Sequence, residues 1–217
     1  MKQAVFNNQS LEIVTDIWQP SDWQFFIQLT NQPEYAKGRF YYDHGYMRIE
    51  MNSLGANHGR DNSVVARLIS LFATFKNIPV VEYTNTSYRK KEFQECQPDS
   101  SFYLGNIKDL PPRNNAPIDL DKYDPPTLVI EISSTTLSDD LGQKRLLYER
   151  LGIGEYWIID TNTSKVIALA ITDGGSKEIR VSQVLPDLEI AVIEEALKRS
   201  VTADDGKINR WLIKLFS

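Results

Sequence analysis

The chain has 217 residues, of which 41% are hydrophobic and 11% aromatic, and it carries a formal charge of −5 with a pI near 5.2. That length suits one large domain with enough apolar material for a core, so a single domain over 1–217 is expected, with an N-terminal helix and hairpin at 20–52 as an extension. The acidic balance counts against a protein held to nucleic acid by bulk charge. The lone Cys96 excludes an internal disulfide and a cysteine-built zinc site, and with only His44 and His58 a histidine-rich metal site is excluded too.

The opening MKQAVFNNQS has a lysine but no apolar stretch after it, and the most apolar window, SVVARLISLFATF, is broken by Arg67 and too short to span a bilayer. A cytoplasmic protein without membrane contact is the expectation. Ser21 can cap a short helix, DWQFFIQL, whose Trp23, Phe26 and Ile27 recur at helical spacing. RFYYDHGYMRIEM places two aromatic-rich runs around Asp43-His44-Gly45, which predicts a hairpin with glycine free to take a positive φ. DNSVVARLISLFATFKN then predicts the long helix, capped by Asp61 or Asn62, with Val64, Leu68, Leu71, Phe72 and Phe75 on one stripe.

Strands are predicted at IPVVEYT, SYRKKEF, PDSSFYL and TLVIEIS. The last two are separated by a Pro-, Asn- and Asp-rich loop from Gly105 to Pro126, long enough to be functional. SDDLGQKRLLYERLG predicts one amphipathic helix with Ser138 as cap and Gly152 as stop. EYWIID, KVIALAIT and IRVSQVL predict three further strands, and VIEEALKRS a closing helix. This order implies an α/β fold with a mixed central β-sheet flanked by helices, including a βαβ unit from TLVIEIS to EYWIID.

Within PPTLVIEISSTT, alternation sends Leu128, Ile130 and Ile132 to one face and Val129, Glu131 and Ser133 to the other. A buried, ionised Glu131 needs a partner: a salt bridge to Lys144 or Arg145, a proton, or a metal. QPDSSFYL and LVIEIS, followed by a helix carrying Lys144, have the layout of a restriction-endonuclease-like site with the signature PD…(D/E)XK. Ser133 stands where the signature has lysine, and Lys144 on the next helix takes its place. Asp99 alone reads as a turn or strand-edge residue; paired with Glu131 it reads as a metal ligand.

The segments LGANHGRDNSVVARLISLF, QPDSSFYL, PPTLVIEISSTTLSDDLGQKRLLYERLGIGEYWIID and LPDLEIAV resemble the Uma-two family of restriction-endonuclease-like proteins, from about Trp23 to Ile193. The resemblance implies the restriction-endonuclease-like fold and a magnesium-dependent phosphodiesterase site with Asp99, Glu131 and Lys144 as catalytic residues. Mg²⁺, or Mn²⁺ in its place, prefers hard oxygen ligands and keeps several waters, so Asp99, Glu131 and the Ile132 main-chain carbonyl suffice to hold it. Lys144 would orient or deprotonate the attacking water, or stabilise the pentacovalent phosphate; a solvated pair with Asp140 is its plain alternative.

Supporting roles fall to His58, just before the long helix, to Glu50, to Ser133 and to Tyr148. Each has a plainer alternative: a loop or capping histidine for His58, a solvent-facing hairpin carboxylate for Glu50, packing or a hydrogen bond to Lys144 for Tyr148. Asp61 is the nearest candidate for an acidic residue on the first long helix. Arg89, Lys90 and Lys91 form either a solvated edge strand or a strip contacting phosphates beside the site. Trp157 and Cys96 read as packing residues. The leading function is a metal-dependent DNA endonuclease acting as a homodimer. The alternatives are a non-catalytic module that keeps the fold to bind nucleic acid or protein, and a hydrolase of another phosphate ester.

Overall fold

The computed structural model describes residues 13–173 and 175–217, so the opening MKQAVFNNQS lies outside the described residues. In chain order the elements are β1 (Gln19–Pro20), α1 (Trp23–Thr30), a 3-10 turn (Pro33–Tyr35), β2 (Arg39–Asp43), β3 (Tyr46–Glu50), α2 (Ala56–Phe75), β4 (Val80–Thr84), β5 (Tyr88–Lys90), β6 (Gln94–Cys96), β7 (Ser100–Leu104), β8 (Ile118–Asp119), β9 (Leu128–Ser133), α3 (Leu137–Leu141), α4 (Gln143–Leu151), β10 (Glu155–Asp160), β11 (Lys165–Thr172), β12 (Gly175–Ile179), α5 (Ile190–Ser200) and α6 (Asp205–Phe216). The α/β class expected from the element order is observed, but among the described residues the strands divide into two six-stranded sheets. One runs β1-β3-β2-β6-β5-β8, the other β12-β11-β10-β9-β7-β4.

In the second sheet β9 and β10 are parallel, joined through α3 and α4 as the βαβ unit requires, and the remaining pairings are antiparallel. Alternation along β9 sorts its side chains as expected. Leu128, Ile130 and Ile132 enter a core with Val64, Leu68 and Phe72 of α2 and with α5 and α6. Val129 faces a second core, between the sheets, with Tyr41, Tyr88, Tyr148, Tyr156 and Ile158. Each fully buried aliphatic or aromatic side chain contributes roughly 1.5–3 kcal/mol, which offsets the cost of the charges buried beside it. A third cluster packs α1 on the outer face of the hairpin through Phe26, Tyr42, Met47 and Ile49.

The β2–β3 hairpin has a two-residue turn, His44 (φ 46) and Gly45 (φ 94), the pattern of a type I′ turn. Its register pairs Arg39 with Glu50 and Tyr41 with Arg48. Arg39, Tyr41, Arg48 and Glu50 therefore share the inward face, while Phe40, Tyr42, Met47 and Ile49 face α1.

Several boundaries differ from expectation for identifiable reasons. Asp22, not Ser21, caps α1, its carboxylate accepting from the Phe25 N–H. The helix α2 begins at Ala56, so Asp61 and Asn62 lie inside it rather than at its cap, His58 sits in its first turn, and Phe75 at its end is exposed. SYRKKEF yields only Tyr88–Lys90 before a turn, and Gln94–Cys96 forms a separate strand. Far from being an edge, β5 lies between β6 and the two-residue β8, which interrupts the long loop. SDDLGQKRLLYERLG is two helices broken at Gly142; Thr136 rather than Ser138 occupies the cap position, Gly152 (φ 78) is the stop, and Leu141 is exposed. The strand expected at IRVSQVL ends at Ile179, because the Gln183 and Val184 N–H groups turn to donate to the buried carboxylate of Glu155. The amphipathic α6, whose Ile208, Leu212 and Phe216 are buried, follows the helix taken as closing.

Candidate active site

The chain crosses from one sheet to the other at Gln97-Pro98-Asp99, between β6 and β7. Proline fits there because its missing N–H is asked of neither sheet. The antiparallel register that pairs Ser100 with Ile130 continues by one residue to set Asp99 at the level of Glu131. Asp99 Oδ2 accepts from the Ile132 N–H at 2.8 Å. In a strand a residue's N–H and C=O leave on the same side, so the Ile132 carbonyl also opens beyond the end of β7, beside Asp99. Asp99, Glu131 and Lys144 are each 1% exposed.

The inward face of the hairpin meets this point. Arg39 Nη1 lies 2.6 Å from Asp99 Oδ1 and its Nη2 3.0 Å from Glu50 Oε2. His58 Nε2 approaches Asp99 Oδ1 at 3.1 Å. Lys144 Nζ is 2.9 Å from Glu50 Oε1, 3.0 Å from Asp140 Oδ1 and 3.7 Å from Glu131 Oε1, and it sits 4.5 Å above the ring of Tyr41. Arg48 completes the group, its Nε on Glu50 Oε1 at 3.0 Å and its Nη1 on Asp139 Oδ2 at 3.0 Å. Thr136 Oγ1 donates to Asp140 Oδ2 at 2.7 Å.

Glu131 is held by phenols. Tyr148 donates to its Oε1 at 2.7 Å, and the Tyr41 hydroxyl stands 3.3 Å from the same oxygen while donating to the Gln97 carbonyl at 2.9 Å. A phenol has a single proton, so Tyr41 donates either to the Gln97 carbonyl or to Glu131, not to both at once. Burial, opposed by Lys144 and reinforced by Asp99 and Asp140, pushes the Glu131 carboxyl up to about 8. Burial would raise Asp99 and Glu50 too, but His58 and Arg39 hold Asp99 below the usual carboxylate range, and Lys144, Arg39 and Arg48 do the same for Glu50. Lys144 is held protonated: burial alone would lower it, but Glu131, Tyr41, Glu50 and Asp140 together raise it well above the ordinary ammonium.

The buried carboxylates Glu50, Asp99, Glu131 and Asp140 outnumber the permanent cations Arg39, Arg48 and Lys144 among them. That negative charge adds to burial in keeping a proton on Glu131, and it suits a hard divalent cation. Among the described residues no three His, Cys, Asp or Glu side chains form a ready-made metal cage. Asp99 and Glu131 therefore need the Ile132 carbonyl and waters to complete a coordination shell. With those, the donor set fits Mg²⁺ or Mn²⁺.

The same geometry corrects several expectations. Glu50 is buried, not solvent-facing; Tyr148 bonds Glu131 rather than Lys144; and the Lys144–Asp140 pair is buried, not solvated. Ser133 is buried with its hydroxyl 3.5 Å from that of Thr136. Asp61, buried on α2, has Arg60 and His58 nearby.

Arg89, Lys90 and Lys91 are not brought to this cluster. Arg89 pairs with Glu95 and lies over Trp23, and with Lys91 it lines a separate cavity of about 580 Å³ bounded by Trp23, Pro112 and Tyr123. In the sequence Asp140 is named as a solvated partner of Lys144, while Arg39, Tyr41 and Arg48 are not singled out. The signal for these three is the period-2 placement of polar residues opposite each other across the predicted turn.

The family described as "Uma2: Putative restriction endonuclease" matches residues 23–204. The chain belongs to this family. The Uma2 match takes in the hairpin, α2, both catalytic-candidate strands and α4, so every side chain of the cluster lies inside it. Among solved structures, a chain described as "Crystal structure of a putative nuclease belonging to DUF820 from Anabaena variabilis ATCC 29413" has a TM-score of 0.54 at 17% identity, covering 82% of this chain and 99% of that one. At that identity the likeness shows the fold, which is restriction-endonuclease-like. No curated protein matches the chain.

Proposed function

We propose that this Uma2 family member is a divalent-metal-dependent endonuclease that hydrolyses phosphodiester bonds in DNA, working in the cytoplasm as one domain paired into a homodimer. The observation that carries the reading is the meeting of three elements at one buried point: Asp99 level with Glu131, and Lys144 Nζ 3.7 Å from Glu131. Mg²⁺ or Mn²⁺ would be held by Asp99, Glu131 and the Ile132 carbonyl. Bound there, it supplies neutralisation of phosphate oxygens and an activated water.

The protein's own residues prepare that site. Tyr148 orients Glu131, and Glu50 and Asp140 fix Lys144, which acts as a permanent positive charge toward the developing phosphorane. Ser133 keeps the strand end clear for it. His58 and Arg39 hold Asp99 ionised. Arg89, Lys90 and Lys91 serve as a contact strip for phosphates away from the scissile bond. Two copies are needed because a one-site domain cuts both strands most simply as a symmetric pair; light scattering at micromolar concentration should give twice the monomer mass, and the monomer mass would count against pairing.

The deciding assay incubates purified protein with plasmid DNA and Mg²⁺ or Mn²⁺ beside Asp99→Ala. Cleavage that falls by roughly two orders of magnitude or more in the variant is the expected result. A second reading, a non-catalytic module that binds nucleic acid or protein, is favoured by the depth at which Asp99, Glu131 and Lys144 are buried. It would be the better one if the wild type shifts DNA in a gel but cuts nothing with either cation.

A further inference from the structure

Of the three permanent cations in the cluster, Arg39 is the one with a path to solvent: its side chain is 17% exposed, against 3% for Arg48 and 1% for Lys144. Its guanidinium spans two carboxylates unequally. Asp99 Oδ1 accepts a hydrogen bond at 2.6 Å, whereas Glu50 Oε2 has a 3.0 Å ion contact without an aligned hydrogen bond. The other Glu50 oxygen is already held by Lys144 and Arg48. Glu50 therefore keeps two cations if Arg39 leaves, while Asp99 keeps, among the described residues, the His58 ring and the Ile132 N–H and no permanent cation. Asp99 is also the carboxylate to which the nuclease reading assigns a divalent cation, and an arginine in contact with its Oδ1 competes for that oxygen.

We infer that Arg39 is a swinging cation that couples the two ligands of the site: it caps Asp99 while both are absent, and transfers its fork to an arriving phosphodiester, which frees Asp99 for a divalent cation. The inference rests on the nuclease reading and deepens it. A guanidinium is suited to the exchange because its planar fork matches phosphate and carboxylate oxygens equally well. Its root is fixed at the start of β2 by pairing with Glu50 across the hairpin, so the side chain can rotate outward without disturbing the strand. By linkage, cation and phosphodiester then tighten each other by the same factor, and the wild-type site binds a cation weakly until DNA is present.

The test is calorimetric titration of Mn²⁺ into the whole protein, alone and with a phosphorothioate DNA duplex that resists cleavage. The wild type should bind Mn²⁺ roughly tenfold more tightly with the duplex, within the ordinary range of coupling between sites. Arg39→Gln should bind Mn²⁺ tightly without DNA and gain nothing on adding it. Arg39→Lys, which keeps the charge but lacks the fork, should retain only part of the coupling, and it carries the test should the glutamine variant not fold. Coupling in the variants equal to that of a wild type that binds both ligands overturns the inference and leaves the nuclease reading standing, as does a wild type that binds both independently. A wild type that binds neither Mn²⁺ nor the duplex removes both.

Discussion

Lys144 Nζ and Glu50 Oε1 meet at 2.9 Å with both side chains almost fully buried, one arriving from the helix after β9 and the other from the hairpin near the start of the chain. Neither charge has water to fall back on, so each depends on the other. The pair ties the hairpin to the β9–α4–β10 unit and fixes where the ammonium stands.

Lys144→Met should therefore damage more than chemistry. With Glu50, Asp140 and Glu131 all losing their shared cation, the expected loss is about 3–5 kcal/mol of stability. Urea denaturation measures it. Adding Glu50→Gln should recover part of the loss, because the double variant no longer strands that carboxylate. Additive losses would mean that the two charges are not coupled.

Stability should fall as pH rises through neutrality. The Glu131 carboxyl, near 4.5 when unfolded, is held at about 8 in the fold. Between those values the folded state binds the extra proton, so this contribution is complete below pH 4.5 and is lost as pH climbs through 8. Asp99 and Glu50, held below the ordinary range, act in the opposite sense and withdraw their contribution only in acid, as pH falls through their lowered values. Glu131→Gln should flatten the slope between pH 5 and 8.5 and, at the alkaline end, exceed the wild type by on the order of a few kcal/mol. Denaturation curves at several pH values check it; parallel slopes for the two proteins would refute the assignment.

Tyr148→Phe deletes the 2.7 Å donor to Glu131. Because a hydrogen bond to an ionised group is worth about 1.5–3 kcal/mol and a neutral one about 1 kcal/mol, the variant should be hurt more at pH 9 than at pH 6. A cost independent of pH would indicate lost packing alone.

Gly142→Ala tests the break between α3 and α4. A Cβ there would lie 2.8 Å from the Ser138 carbonyl oxygen, a backbone atom that cannot step aside cheaply. A destabilisation of about 1–3 kcal/mol is expected, with cleavage falling further than stability, since the break sets the direction in which Lys144 leaves the helix. Wild-type activity in a folded variant would show that the junction has slack.

Periodicity carried the local information. The alternation around Glu131, the two-residue turn at His44-Gly45, the β9-helix-β10 unit and the left-handed stop at Gly152 were all legible, because each depends on neighbours a few residues away. The PD and Glu-X-Ser segments similarly marked Asp99 and Glu131 as a pair. The division into two sheets was not legible, since a strand's pattern says which face is apolar and not which sheet it joins. Nor was the broken helix: SDDLGQKRLLYERLG keeps its apolar spacing across Gly142, yet the chain breaks there into α3 and α4. The hardest feature to read was the burial of Glu50. A carboxylate alternating with apolar residues on a hairpin looks solvated, and only the approach of Arg39, Arg48 and Lys144 from three places in the chain makes its burial affordable. The sequence determined which residues had the chemistry; the tertiary structure decided which charges neutralise one another, because that balance is summed over groups brought together only by folding.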